Sequence, residues 1–596
     1  MTDYRAPLDD LRFVIKHQLD IPQYWPGFNA MEEVDLETVD AIFSEAGKIC
    51  EEVIAPLNRA ADEQGCQLNA GAVTTPQGFV DAYRAFNEGG WGALSGNPGY
   101  GGMGMPKSVV SGVEEMLQGA CMAFGLSPML TAGACLAIDA HASEELKQRY
   151  LGKMYSGQWS GSMCLTEPHA GTDLGLIRSK AQAQLDGSYL ITGTKIFITW
   201  GDHDMAENIV HLVLAKLPDA PAGAKGISMF LVPKRLVDDD GETLGEANAV
   251  SCGALEKKMG IKASATCVMN FDGAKGWLVG PPNKGLACMF TMMNYERVVV
   301  GIQAIGAAQH AYQIALAYAR ERLQSRAPGG AAYPDKPADP LIVLPDVRRM
   351  LLNAKCHIEG GRALYIYVAN CLDGTKYAKD DTQKRIFEDR VALLTPVAKA
   401  FLSDRCFEAA VSCQQVLGGH GYIREWGLEQ LVRDIRITQI YEGTNGVQAA
   451  DLLGRKTLGS GGGLLASFCD EIEQFIEANG SRPLSGVLQN AVATLRRATT
   501  AILQQGQQSD SCPEAAAMDY LDLLGYVSVA YMWFRASCVA QDMLAEGSQT
   551  FDSNQLQAKV HAAQYYFHRM LPIIETYAAN VSETGASMMA IPDEMF

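Results

Sequence analysis

Several motifs that mark common functional classes are missing from this chain. Its 15 cysteines include no Cys-x-x-Cys pair, and its ten histidines form no His-Glu-x-x-His motif, so neither common kind of zinc site is expected. A Gly-Lys-Ser/Thr phosphate-binding loop is also absent. Basic residues are scarce, with 49 Lys and Arg against 68 Asp and Glu and a net charge of −19. That balance argues against nucleic acid as the main partner, because its phosphates would be repelled.

The sequence also lacks the signals of export and membrane insertion. It contains no run of about 18 apolar residues, which is the length that a membrane-spanning helix needs. The N-terminal segment has no basic region followed by an apolar core, so a signal peptide is not expected. Scattered cysteines, odd in number, are typical of reduced and buried thiols. We therefore expect a cytoplasmic protein without a membrane span.

The 596 residues suggest three or four domains. Helical periodicity dominates residues 1–160, β-type runs punctuated by Pro and Gly fill 161–285, and helical patterns return over 286–456. A glycine-rich stretch at 459–463 reads as a flexible linker to a further helical region, 464–596. The sequence thus predicts a mainly α fold with a central β domain and an extra C-terminal helical domain. Within the β region, residues 189–199 read as β-type with a turn at the centre.

Residues 99–104 satisfy a Gly-x-Gly-x-x-Gly pattern, but no strand precedes them and Pro106 follows, so we interpret them as a loop between helices. Residues 163–173 are more informative, because they bring two hydroxyls, two acids and small residues into one loop. Small residues let backbone amides approach a ligand, and hydroxyls supply donors. This loop suits a polar heterocycle or a pyrophosphate, although an ordinary turn is an open alternative.

Two later segments stand out. In the first, three glycines end the helical run that contains Gln415, which a simple helix end also explains. In the second, Glu442 lies in an apolar setting before Gly443 and a Thr-Asn pair that is typical of a helix N-cap. Removal of water would raise the pKa of this carboxylate, which suits a general base, and a capping turn is the alternative.

Taken together, these segments resemble the acyl-CoA dehydrogenase family over roughly residues 35–456. The order is TEPHAGTD at 166–173, TGTKIFIT at 192–199, a long helix with Glu321-Arg322, QVLGGHGY at 415–422 and IYEGTN at 440–445. The C-terminal extension and the run from Thr194 to Asp204 resemble a long bacterial subgroup of the family. The resemblance implies an α/β/α architecture with FAD as cofactor.

The resemblance also assigns site residues. Residues implied at FAD are Leu165, Thr166, Gly171, Thr172, Phe197, Thr199, Arg322, Gln415, Gly418, Gly419, Thr444 and Asn445. Residues implied at the acyl-CoA are Arg297, Tyr441 and Gly443. Phe197 stands where many members have Trp, and the residues after Arg322 differ from the usual Phe-Gly pair. Because Arg322 and the 415–419 turn contact a neighbouring subunit's FAD in the family, a homodimer is expected.

By the same resemblance, Glu442 is the catalytic base. It would remove the α-proton of an acyl thioester while the β-hydrogen leaves as hydride to the flavin, which gives a trans-2-enoyl-CoA. The substrate would be a fatty acyl-CoA or 3-methylthiopropanoyl-CoA, and the electrons would pass to electron-transfer flavoprotein. Glu296 is the competing base, since some relatives place theirs in the region that corresponds to residues 294–297.

Two other functions stay open at this point. An acyl-CoA oxidase would share these motifs and pass electrons to oxygen instead. A flavin-bearing, DNA-associated relative would need a basic C-terminal region, whereas residues 457–596 contain six Lys and Arg against fifteen Asp and Glu. The charge balance therefore favours the dehydrogenase or the oxidase over the DNA-associated function.

Overall fold

The computed structural model describes residues 4–238, 241, 243–507, 512–548, 550–583 and 585–596. These residues form two compact units. The helical unit comprises Met1–Phe43, Lys107–Glu115 and Val300–Phe596, and the sheet unit comprises Ser44–Pro106 and Met116–Val299. Residues 300–456 and the C-terminal helices thus belong to one unit. The four-domain division of the sequence remains a prediction.

Eighteen α-helices and eleven strands are found in the described residues. The helices are α1 Leu8–Phe13, α2 Leu36–Ile49, α3 Asn58–Gln64, α4 Phe79–Glu88, α5 Lys107–Ala120, α6 Met122–His141, α7 Glu144–Tyr155, α8 Gly285–Glu321, α9 Pro345–Tyr377, α10 Asp381–Val416, α11 Leu428–Ile435, α12 Asn445–Ala450, α13 Gly463–Ala478, α14 Ser485–Gln505, α15 Ala517–Glu546, α16 Ser553–Tyr565, α17 Ile574–Val581 and α18 Ala586–Met589. The strands are β1 Gln67–Asn69, β2 Ala72–Thr74, β3 Trp159–Cys164, β4 Lys180–Ala183, β5 Tyr189–Thr199, β6 Asn208–Lys216, β7 Ile227–Pro233, β8 Arg235–Val237, β9 Leu244–Ala247, β10 Val250–Leu255 and β11 Thr266–Val279.

A seven-stranded sheet forms the core of the sheet unit. Its order is β10-β11-β5-β4-β6-β3, and β7 pairs with both β11 and β6. Most pairs are antiparallel, and β3 runs parallel to β6. Residues of β6 and β7 are buried on both faces, which explains their continuous apolar sequences, whereas β5 alternates between buried and exposed residues. The mainly α fold with a central sheet is therefore confirmed.

Three long helices build the centre of the helical unit. Helices α9 and α10 pack against each other, and α15 packs on α9, α10 and α12. Small residues permit this close approach: a Cβ on Gly360 of α9 would lie 2.6 Å from the Trp533 indole nitrogen of α15. The same nitrogen donates to the Cys356 carbonyl at 3.0 Å. The extra C-terminal domain therefore shares one core with the preceding helices.

The structure corrects several local predictions. The predicted linker at 459–463 is a hydrogen-bonded turn, in which the amides of Gly459, Gly461 and Gly462 donate to carbonyls of the preceding segment 454–458. No turn interrupts residues 189–199, which form the continuous strand β5. Between α16 and α17 the α-helix is interrupted by a π-helical stretch, Tyr566–Met570, and a 3-10 turn, Leu571–Ile573, at Pro572, because proline lacks the amide that continues an α-helix.

Candidate active site

A β-bulge in the sheet unit presents an aromatic ring to solvent. Lys195 pairs with Met269 and Ile198 with Cys267, so two residues of β5, Ile196 and Phe197, lie opposite one residue of β11. Phe197 takes a left-handed backbone conformation, with φ of 59°, and its side chain is 59% exposed. Bulges redirect side chains and are common beside active sites. The bulge thus presents an aromatic surface at the position predicted to cover the flavin.

The loop after β3 is organised by a buried ion pair that the sequence did not reveal. Lys195 Nζ lies 2.8 Å from Glu167 Oε1 and donates to the Leu165 carbonyl at 2.9 Å. The other donors to the Glu167 carboxylate are the Arg178 amide at 2.7 Å and the Ser179 amide and hydroxyl at 3.0 and 2.6 Å. Burial alone would raise the pKa of Glu167, but Lys195 and these hydrogen bonds outweigh it and lower the pKa to about 2. The Glu167 carboxylate is therefore ionised at neutral pH and holds the loop through these hydrogen bonds.

This ion pair leaves part of the loop open to a ligand. Leu165 is mostly buried and Thr166 half-buried, while Gly171 and Thr172 are exposed. The Thr166 carbonyl accepts from the Ile196 amide at 2.9 Å, which joins the loop to the bulged strand. A Cβ on Gly171 would meet no atom within 4 Å. The exposed residues of the loop can therefore offer backbone amides and a hydroxyl to a bound group.

Two further predicted residues lie in the sheet unit. Thr199, at the end of β5, is half-buried and opposite Thr266. Arg297 is half-buried on α8, with its guanidinium 5.6 Å from the centre of the Phe290 ring. The competing base, Glu296, is fully buried on the same helix, and a Cβ on Gly133 would lie 2.5 Å from its carboxylate. The Glu296 side chain therefore points into the interior of the sheet unit.

The helical unit holds Glu442 on a tight turn. Glu442 and Gly443 both have left-handed backbones, with φ of 57° and 83°. The predicted N-cap is confirmed: the Thr444 hydroxyl accepts from the Val447 amide at 3.3 Å and starts α12. The Glu442 carbonyl accepts from Gln448 Nε2 at 3.1 Å. Glu442 itself is half-buried, so its carboxylate is held on a fixed turn close to the surface of the unit.

Asn445 anchors this turn to α10. Its Oδ1 accepts from the buried Lys399 Nζ at 2.8 Å, and its Nδ2 donates to Ser403 at 3.0 Å and to Asp404 at 2.7 Å. The side-chain amide is thus used inside the protein, which leaves the backbone of Asn445 as its means of contacting a cofactor. Nearby, the Tyr441 hydroxyl donates to the side-chain Oε1 of Gln303 on α8. Neither Lys399 nor Gln303 could be identified from a motif in the sequence.

The remaining predicted residues are exposed at the C-terminal end of α10 and just after α8, in the helical unit. Helix α10 ends at Val416, and Gly418 follows with φ of 58°; Gln415, Gly418 and Gly419 are exposed. A Cβ on either glycine would meet nothing within 4 Å. Arg322 is exposed and directly follows α8. In the loop after it, the Asp339 carboxylate accepts hydrogen bonds from the backbone amides of residues 327, 332 and 333. Arg326, in the same loop, is also exposed and donates to Asp339 at 3.3 Å.

Each unit, taken by itself, offers side chains and amides whose chemistry suits part of a flavin nucleotide. Phe197 supplies an exposed aromatic face for an isoalloxazine ring, and the open loop at Gly171 supplies amides. Arg322 and the open glycine turn at 418–419 supply a cation and backbone amides, which suit a pyrophosphate. Within the described residues no cluster of His, Cys, Asp and Glu could hold a metal ion. The individual site assignments remain predictions.

Two helices, Met122–His141 and Pro513–Glu546, are long and apolar enough to cross a membrane by length and composition alone. Their apolar windows are 78% and 89% buried inside the protein, as expected for core helices. The expected absence of a membrane span remains a prediction.

Models of one family match nearly the whole chain. They are "Acyl-CoA dehydrogenase, N-terminal domain" over 37–158, the middle domain over 162–274 and the C-terminal domain over 283–456. A fourth model, "Acetyl-CoA dehydrogenase C-terminal like", matches residues 468–592. The match therefore continues into the C-terminal helices, beyond the region over which the motifs showed the resemblance.

Full-length relatives agree with these models. The chain is 40% identical to 3-methylmercaptopropionyl-CoA dehydrogenase of Ruegeria pomeroyi over 594 residues, which cover 98% of this chain and 99% of the relative. It is 33% identical to a butyryl-CoA dehydrogenase of Syntrophomonas wolfei over 610 residues, covering 100% and 99%. The crystal structure of an acyl-CoA dehydrogenase from Bacillus anthracis, complexed with FAD, matches with a TM-score of 0.74 at 19% identity, over 98% of this chain and 94% of that one. This last likeness concerns the fold.

Proposed function

Because this chain belongs to the acyl-CoA dehydrogenase family, we propose that it uses FAD to oxidise the α–β bond of a short acyl-CoA, with Glu442 as the base. Family membership makes the chain an oxidoreductase acting on CH–CH bonds. The names of the two relatives described above specify short acyl groups, methylmercaptopropionyl and butyryl. These names support a short acyl group, with or without a thioether, as the substrate.

The observation that carries the proposal is the turn at Glu442. The carboxylate is half-buried on a turn held in a left-handed conformation, whereas Glu296 is fully buried inside a helix. A base must reach a proton on a substrate, so the more accessible and fixed carboxylate is the better candidate. In the proposed reaction, Glu442 takes the α-proton while the Glu442 amide donates to the thioester oxygen and stabilises the developing enolate.

FAD is the proposed redox group. When bound, FAD accepts the β-hydrogen together with its electron pair, which no side chain can do. The protein's part is to hold and orient it. The proposed contacts are the Phe197 ring, the Thr199 hydroxyl and the Leu165, Thr166, Gly171 and Thr172 loop on the sheet unit, and Arg322, Gln415, Gly418, Gly419, Thr444 and Asn445 on the helical unit. Arg297, Tyr441 and Gly443 are proposed for the acyl-CoA.

We further propose a cytoplasmic homodimer that passes its electrons to electron-transfer flavoprotein. Support for the dimer comes from Tyr422 and Ile423, which are large, apolar and exposed next to the 415–419 turn. Exposed apolar residues grouped around a functional turn are typical of an interface. The electron acceptor is proposed from the family resemblance.

Anaerobic mixing with thioesters tests the function. Purified protein reconstituted with FAD should lose its yellow colour with butyryl-CoA and 3-methylthiopropanoyl-CoA, and more slowly with a sixteen-carbon thioester. Glu442→Gln should retain FAD and slow the bleaching by ~10²–10⁴-fold, the usual contribution of a general base. Glu296→Gln is the matched control. Bleaching by Glu442→Gln at close to the wild-type rate would assign the base elsewhere, and steady hydrogen peroxide production in air would indicate an oxidase.

A further inference from the structure

The backbone at Glu442 is held in a conformation that its side chain disfavours. A left-handed backbone is disfavoured for any residue that carries a Cβ, because the Cβ comes too close to the following carbonyl oxygen, and Glu442 has a φ of 57°. Such strain persists only where the surrounding structure determines the conformation, and it clusters at functional sites. The turn therefore needs specific contacts that keep it from relaxing to the right-handed region.

One of these contacts comes from Gln448, which lies in the first turns of α12. Its side chain folds back over the turn, and Nε2 donates to the Glu442 carbonyl at 3.1 Å. The same nitrogen lies 2.7 Å from the place where a Cβ on Gly443 would stand. Gln448 is only 1% exposed, and its Oε1 has no hydrogen-bond partner among the described residues. Burial of the Gln448 amide therefore leaves Oε1 without a hydrogen bond, while Nε2 bonds to the strained turn.

The start of α12, which carries Gln448, is itself held in place by side-chain hydrogen bonds. Thr444 caps the helix, and the Asn445 side chain is bound by Lys399, Ser403 and Asp404 of α10. These residues fix the helix that carries Gln448, and Gln448 connects that helix to the carbonyl of Glu442.

We infer that Gln448 is a positioning residue for the catalytic base, which rests on the proposed role of Glu442. The hydrogen bond fixes the peptide after Glu442 and disfavours rotation of the backbone to the right-handed region. Such a rotation would change the angle between the Glu442 amide and its carboxylate. The amide is proposed to hold the thioester oxygen and the carboxylate to take the α-proton, so both require the same backbone geometry.

The test uses the full-length protein loaded with FAD. Gln448→Met keeps the length of the side chain and removes the donor. We expect the limiting rate of flavin bleaching by butyryl-CoA to fall about tenfold or more, because small misplacements of reacting groups are costly. FAD content and the dissociation constant of butyryl-CoA should stay within about threefold. Gly446→Ala is the matched control in the same helix, because its added methyl meets only the Thr444 hydroxyl at 3.9 Å.

A second readout isolates proton removal. An acyl-CoA analogue with sulfur in place of the β-carbon can lose its α-proton but has no β-hydrogen to give up. Its deprotonation beside oxidised FAD appears as a long-wavelength absorbance band, which we expect to weaken in Gln448→Met at saturating analogue. Loss of stability elsewhere in the protein would change FAD content or affinity and leave this band unchanged at saturation.

The outcomes separate this inference from the proposed function. If Glu442→Gln is inactive while Gln448→Met bleaches and deprotonates like wild type, the inference is wrong and the base assignment stands. If Glu442→Gln is active, the proposed role of Glu442 as the base is wrong, whatever the result for Gln448→Met. Gln448→Leu, a second variant without the donor, should give the same defect where Gln448→Met does not fold. Gly443→Ala places a methyl against the Gln448 amide and is used only in combination with Gln448→Met, because Gly443 is itself left-handed and proposed at the acyl-CoA. Effects of the two substitutions that add fully in the double variant would contradict a shared contact.

Discussion

Replacing Glu167 with Gln should loosen the loop after β3 by a predictable amount. The carboxylate is 3% exposed, Lys195 is 0% exposed, and the pair is joined at 2.8 Å. The pKa of Glu167 falls from 4.5 to about 2 on folding, and at ~1.4 kcal/mol per pKa unit this corresponds to about 3 kcal/mol. Breaking a buried ion pair by removing one partner costs ~3–5 kcal/mol, which agrees.

Amide hydrogen exchange measures this loss locally. The Arg178 and Ser179 amides donate to the Glu167 carboxylate, so they report on the anchored loop. A loss of about 3 kcal/mol corresponds to a fall of about 10²-fold in their protection. Because the folded pKa is depressed, the carboxylate's contribution is complete above about pH 4.5 and is lost only as the pH falls towards 2. The difference between wild type and Glu167→Gln should therefore be constant between about pH 5 and pH 8.

Glu145→Gln is the matched control. Glu145 pairs with Arg149 four residues later at 3.3 Å, but its side chain is 75% exposed, and exposed helical pairs contribute only ~0.3–0.5 kcal/mol. Lys195→Met combined with Glu167→Gln should cost less than the sum of the single changes, because neither charge is then left buried alone. Protection of Arg178 and Ser179 within about threefold of wild type in Glu167→Gln would refute this account of the loop.

Two further predictions concern packing and strain. Phe197→Gly should relieve ~1 kcal/mol of left-handed strain and therefore raise the thermal stability of the protein without cofactor. The same change removes the aromatic ring, so FAD binding should weaken about tenfold in a fluorescence titration. Unchanged FAD affinity would contradict the proposed stacking. Gly525→Ala should cost ~1–3 kcal/mol in thermal or denaturant unfolding, because its methyl would clash with the Phe401 ring across the α10–α15 contact. Gly486→Ala, which meets nothing within 4 Å, should be neutral or stabilising, and equal effects of the two would contradict the packing argument.

The sequence predicted the type and order of the long elements well, because α9, α10 and α15 carry sustained helical periodicity. The same reasoning failed at Gly193, which it interpreted as a turn within residues 189–199. Gly193 instead lets the segment at Ser179 pack close to β5, since a Cβ on Gly193 would lie 2.8 Å from the Ser179 Cβ. A single sequence does not distinguish a glycine needed for space from one needed for a turn.

The candidate site divides in the same way. Motifs identified Phe197, Glu442 and Thr444, but not the residues that hold them. Lys195 appears in the sequence as one polar residue of a strand, and Gln448 as one polar residue of a helix. Their roles follow from hydrogen bonds to distant carbonyls and carboxylates, which have no local sequence pattern. The bulge at Phe197 likewise depends on the register between β5 and β11, which a single strand cannot reveal.

The contacts between α15 and its neighbours constrain how this protein can be shortened or recombined. Gly360 and Gly525 are small because a helix on the other chain segment occupies the space beside each of them. Ending the chain before Gly463 would expose the apolar sides of α9 and α10 to water. A truncated form would therefore be expected to aggregate, and a functional shorter version would need polar replacements along α9 and α10. The C-terminal helices are thus inherited with the helices that they cover, and exchange of modules between relatives has to move both together.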